Sequence, residues 1–195
     1  AQVPGQWINL VGYSGGGGVA VLALEALPAD RKVTKAILLA PTLAQDYDLA
    51  PAMRHTEQGV HSFHSAIDVP VMILMTMAVG TTEGRHTFTA GAFGFQRPRR
   101  TDKERYHEYA THLAQHAYEF EMLESGHAGG HFGWANRAWV AKWVAPLVGP
   151  PPGPAIPAVT DPPTGPESLA ARNDQLDWRG MEVPASWNGP VPHGR

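Results

Sequence analysis

The sequence predicts an α/β fold, three layers α/β/α built on a mainly parallel sheet. Two observations carry that expectation. As far as Gly149, short apolar strand-like runs alternate with helical segments, the pattern of βα units. Two of those runs, Trp7-Ile8-Asn9-Leu10-Val11-Gly12-Tyr13 and Ala36-Ile37-Leu38-Leu39-Ala40, have no polar face to turn to water, as strands covered on both sides require.

The elements follow in chain order. Trp7–Tyr13 is the first strand, and Gly15–Leu27 the first helix, glycine-rich at its start and stopped by Pro28. Ala36–Ala40 is a short buried strand closed by Pro41, and Val60–Ser65 a third strand leading into Ala66-Ile67-Asp68-Val69-Pro70. The run Val71–Val79 is continuously apolar, so its period is not visible; it is read here as a helix. Thr101-Asp102-Lys103-Glu104 has the form of a capping box, with Thr101 as N-cap, opening a helix whose Tyr106, Tyr109, Ala110, Leu113 and Ala117 share a face. Tyr118–Leu123 is the last strand. A glycine-rich loop follows, then an amphipathic helix with Trp139, Val140, Trp143, Val144 and Leu147 on its apolar side. From Gly149 the composition changes: 11 of the 18 prolines fall between Pro150 and Arg195. Such a segment cannot form a core, so residues 1–148 are expected to be the globular domain and 149–195 an irregular, polyproline-like tail. Trp178 and Trp187 are the tail's only large apolar anchors.

Composition narrows the function. With 195 residues, 43% of them hydrophobic, there is room for one domain of ordinary size. No apolar run reaches the ~18 residues of a membrane span. The absence of cysteine removes disulfides, thiolate nucleophiles and Cys-ligated zinc. With 15 Lys and Arg against 18 Asp and Glu, there is no basic footprint for nucleic acid. Nothing in the composition assigns a compartment.

The residues that carry chemistry begin with Gly12-Tyr13-Ser14-Gly15-Gly16, a G-x-S-x-G sequence set between a strand and a helix start. A strand-turn-helix elbow forces its serine into a strained conformation and projects the hydroxyl above the sheet, with small neighbours allowing close passage of the chain. Ser14 is therefore the candidate nucleophile. The Gly15 amide, at the helix N-terminus, is a candidate oxyanion donor. The alternative, a phosphate-binding turn, lacks G-x-G-x-x-G and the P-loop lysine. A serine hydroxyl needs a histidine base, and the base a carboxylate. Asp68, just after the third strand, is the first choice of acid; Glu83, Asp46 and Asp48 compete with it, Glu83 most strongly. Two histidines in Gly126-His127-Ala128-Gly129-Gly130-His131-Phe132 could be the base, and His131, freed by the two glycines before it, is preferred to His127. His112 and His116 are four apart but lack the intervening glutamate of a zinc helix and read as a solvated helix face. The five cations of Arg97–Arg105 read as a solvated loop.

In the order Ser14, Asp68, His131, after successive strands, the chain resembles the α/β-hydrolase fold family over roughly residues 7–148. Leu10-Val11-Gly12-Tyr13-Ser14-Gly15-Gly16-Gly17-Gly18 looks like its nucleophile elbow, Ala36-Ile37-Leu38-Leu39-Ala40-Pro41 like the strand after the elbow helix, and Gly126–Phe132 like its histidine loop. The resemblance implies a serine esterase or lipase-like hydrolase with Ser14 as nucleophile, Asp68 as acid and His131 as base; the alternatives are an amide or thioester hydrolase on the same triad and a non-catalytic module whose proline-rich tail binds a partner. It implies a small-molecule ester as substrate and no metal or organic cofactor. The family also carries strands and a backbone oxyanion donor ahead of the elbow. Here the elbow begins at Gly12, so a longer hydrolase, or a partner chain that completes the sheet, is expected.

Overall fold

The computed structural model describes residues 7–68 and 80–148. The apolar run Val71–Val79 and the proline-rich segment 149–195, with Trp178 and Trp187, lie outside the described residues. Four strands, β1 (Asn9–Tyr13), β2 (Lys35–Leu39), β3 (Val60–His64) and β4 (Leu113–Ala117), form one sheet in the order β1-β2-β3-β4. All three pairings are parallel, with Tyr13 opposite Leu39, Phe63 beside Leu39 on the other flank, and His116 opposite Phe63. The fold is therefore α/β with a parallel sheet, and the C-terminal ends of all strands point the same way. Ligand-binding loops of such sheets gather at that edge.

The two faces of β2 feed different clusters, as alternation along a strand dictates. Ala36 and Leu38 join a cluster with Val60, Leu113 and the buried residues of α1 (Gly15–Glu25), α2 (Ala50–Met53) and α4 (Lys103–His112). A short α3 (Ala90–Phe93) adds Ala90 to it. Ile37 and Leu39 join a second cluster with Phe63, Met122, Trp134, Trp139 and Val144. Trp139 and Val144 come from α5 (Arg137–Trp139) and the π-helical turn Val140–Val144 that continues it, followed by a 3-10 turn, Ala145–Leu147. Pro146 has no N–H to offer, which is enough to break the regular ladder there. No helix among the described residues is long and apolar enough to cross a membrane.

Several elements depart from the sequence expectation. The last strand is Leu113–Ala117, not Tyr118–Leu123, and Phe120–Ser125 is a 3-10 helix. Leu113-Ala114-Gln115-His116-Ala117 has good helix formers and continues the periodicity of α4, but pairing with β3 overrides propensity. Gln115 fixes the strand from its side chain, accepting the Phe95 N–H at 2.6 Å and donating to the Phe95 carbonyl at 2.9 Å. Consequently His112 ends a helix while His116 sits in a strand, so the two do not share a helix face. The cap of α4 is Asp102 in place of Thr101; its carboxylate accepts the Arg105 N–H at 3.2 Å. β1 is also less covered than expected, since it is an edge strand among the described residues and Val11 is 47% exposed.

Candidate active site

Ser14 occupies the one-residue turn between β1 and α1 with φ 54° and ψ −125°, a region an L-residue enters only under constraint. The constraint is visible. Its N–H donates to the Leu39 carbonyl at 2.8 Å, and its own carbonyl accepts from Gly17 at 2.9 Å and Thr42 at 3.3 Å. Gly12 is sterically required, because a Cβ there would lie 2.5 Å from the Gly16 carbonyl oxygen. A Cβ on Gly18 would lie 2.2 Å from Thr82 Oγ1 and one on Gly17 a tight 3.0 Å from Pro41, whereas a Cβ on Gly16 would meet nothing within 4 Å. The need for small residues thus falls on Gly12 and Gly18, more weakly on Gly17, and does not extend to the second glycine of the motif. Gly15 opens α1, where first-turn N–H groups have no partner within the helix and carry the positive end of its dipole.

Asp68 closes the 3-10 turn Ala66–Asp68 after β3, its N–H donating to Ser65 at 3.1 Å. His131 opens the 3-10 turn His131–Ala135, with Gly130 in the cap position. The structure brings Ser14, His131 and Asp68 into one chain of contacts: His131 Nε2 lies 3.0 Å from Ser14 Oγ, and His131 Nδ1 lies 2.6 Å from Asp68 Oδ2. Asp68 is buried at 1% exposure and His131 at 9%, while Ser14 is half-buried and Gly15 exposed. Asp68 Oδ1 is buried without a hydrogen-bond partner among the described residues. Beside His131 a depression of about 470 Å³ opens, lined by Phe132, Ala128 and Asn136 among others.

The competing candidates are engaged elsewhere. Glu83 accepts the Ala44 N–H at 2.7 Å, Asp46 pairs with Arg85 at 2.6 Å, and Asp48 accepts from Tyr109 at 2.9 Å and pairs with Arg105 at 2.7 Å. His127 is fully buried, 4.0 Å from the Trp134 ring between centroids, and burial pushes its pKa down to about 4. The ring that reaches Ser14 is that of His131, while His127 Nδ1 accepts the Gly129 N–H at 2.9 Å. His116 instead meets His61, Nε2 to Nδ1 at 3.0 Å. No group of three or more metal-ligating side chains occurs among the described residues.

One participant carries no sequence signal. The Tyr13 hydroxyl donates to the backbone carbonyl of His131 at 2.9 Å, and the two rings lie 5.1 Å apart. Burial, and then the negative charge of Asp68, push the Tyr13 pKa up, so it remains a donor. The position before the serine in G-x-S-x-G accepts many residues, which is why only the folded chain reveals Tyr13. Compared with models of protein families, with curated proteins and with solved structures, the chain finds no match in any of the three.

Proposed function

We propose that the chain is a serine hydrolase of α/β-hydrolase type that cleaves carboxylic esters through an acyl-enzyme intermediate. One observation carries the reading: an unbroken line of contacts from a buried carboxylate, through an imidazole, to a serine hydroxyl held in a strained elbow. In this reading Ser14 is the nucleophile, His131 the base and Asp68 the acid. Ser14 Oγ attacks the ester carbonyl carbon while its proton passes to His131 Nε2. Asp68 holds the proton on Nδ1, keeping Nε2 free as the acceptor and stabilising the imidazolium that forms. The carbonyl oxygen, now negative, faces the Gly15 N–H at the start of α1; a single such donor contributes ~10²–10³ in rate. Collapse breaks the bond to the leaving oxygen, which takes the proton from His131 and departs as the alcohol. Water then attacks the acyl carbon and gives a proton to His131; the bond to Ser14 Oγ breaks, His131 Nε2 returns that proton to Oγ, and the acid and free Ser14 remain. Every step moves protons among these side chains and water, so no metal or organic cofactor is invoked.

Amide and thioester cleavage run through the same steps with another leaving group. A second reading, a non-catalytic module that joins another chain, is favoured by the exposed apolar residues Ile8 and Val11 at the β1 edge. Turnover of p-nitrophenyl esters, set beside the matching anilide and thioester, tests the first reading. The full chain is expected to hydrolyse the esters, and Ser14→Ala and His131→Ala to lose about 10³-fold or more. A folded chain no faster than Ser14→Ala would reject the hydrolase reading in favour of the module.

A further inference from the structure

Among the described residues, His127 is the fully buried histidine that the proposed chemistry leaves unused. Its ring is fully buried in an aromatic box, 4.0 Å from Trp134, 5.2 Å from Trp139 and 5.2 Å from Tyr118, with both indoles nearly perpendicular to it. What the imidazole adds is an acceptor: Nδ1 takes the Gly129 N–H at 2.9 Å, which puts the ring's single proton on Nε2. Nε2 is buried with no hydrogen-bond partner among the described residues.

The ring touches the chain on both sides of His131. Two residues before it, Gly129 is held by that bond in a left-handed conformation, φ 84°. Two residues after it, Gly133 passes so close that a Cβ would lie 2.2 Å from His127 Nδ1. Trp134, next along, packs edge-on against the ring. His131 is therefore suspended between two points of the loop that both bear on one side chain, while Tyr13 holds its carbonyl.

We propose that His127 is the positioning residue of this site: a neutral imidazole that clamps the loop before and after His131 and so holds His131 in register with Ser14 and Asp68. The inference rests on reading His131 as the base. Burial, which keeps His127 uncharged until well below neutral pH, suits the part, since protonation at Nδ1 would set a donor against the Gly129 N–H.

Two variants and one spectroscopic readout on the full chain test it. Asparagine at 127 can accept the N–H two residues on in an Asx turn, whereas leucine fills space and accepts nothing. In ¹⁵N-histidine NMR spectra the wild-type chain should show His127 as the Nε2–H tautomer at pH 7, together with the low-field Nδ1–H proton of His131 held by Asp68. His127→Asn should keep that proton and label with a fluorophosphonate within about threefold of wild type. His127→Leu should lose the proton and slow labelling by about 10²-fold, the scale of an ångström of misplacement. A His127→Leu chain that keeps both signal and rate, a His127→Asn chain that loses both, or a wild-type His127 protonated on Nδ1 overturns the proposal. Should His127→Leu not fold, the tautomer and the asparagine variant decide. A wild-type chain that takes up no probe but shows the His131 proton removes the hydrolase reading alone, and the spectra of the variants still settle what His127 holds.

Discussion

At the scale of single residues, the site depends on the direction of two hydrogen bonds at one imidazole. Asp68→Asn would present an N–H to His131 Nδ1, forcing the ring proton onto Nε2 and leaving Ser14 without an acceptor. The expected loss in kcat is about 10³–10⁴-fold with little change in KM, read from ester turnover. Tyr13→Phe removes only the donor to the His131 carbonyl. A net loss of about 1 kcal/mol is expected, less than tenfold in rate, and a larger effect would mean that the ring contact matters more than the bond. Ser14 was legible because G-x-S-x-G between strand and helix demands an unusual conformation, and φ 54° at a non-glycine is what the structure shows. The sequence preferred His131 to His127 only on the two glycines before it. Both rings are buried, and what separates them is that His131 Nε2 lies 3.0 Å from Ser14 Oγ while His127 is boxed by tryptophans.

At the scale of elements, the elbow makes opposite predictions for two glycines of one motif. Gly12→Ala drives a methyl group into the Gly16 carbonyl and should destabilise the chain by about 1–3 kcal/mol or more. Gly16→Ala, inside α1 with open space around it, should stabilise by about 0.5–1 kcal/mol. Urea unfolding midpoints of the two variants check both signs. The α/β class was readable because apolar runs such as Ala36–Ala40 leave no solvated face. β4 was misplaced because Leu113–Ala117 has the composition of a helix and becomes a strand through backbone pairing with β3 and the Gln115 clasp on Phe95. Local propensity contains neither interaction.

At the scale of the whole molecule, one buried and three half-buried histidines make stability depend on pH. Burial, aided at His61 by the neighbouring His116 and Lys35, lowers the pKa values of His61 and His127 to about 4, and those of His64 and His116 also fall. The unfolded chain therefore takes up protons first. The stability tied to the neutral rings is complete above their ordinary pKa near 6.5 and is lost as pH falls toward 4. For fully buried His127 the slope is about 1.4 kcal/mol per pH unit within that window. Melting temperature measured from pH 7.5 to 4 should fall most steeply below 6.5, and His127→Asn should flatten part of the fall.

The central claim is that Ser14 is an activated nucleophile, and a fluorophosphonate probe reports on that property without any assumption about substrate. Reaction displaces fluoride and leaves the phosphonyl group on the serine oxygen, a change read by intact mass and assigned by peptide mapping. The account predicts one adduct per chain, on Ser14, abolished by Ser14→Ala and strongly slowed by His131→Ala. No adduct on a chain shown to be folded, or an adduct at another residue, would contradict it.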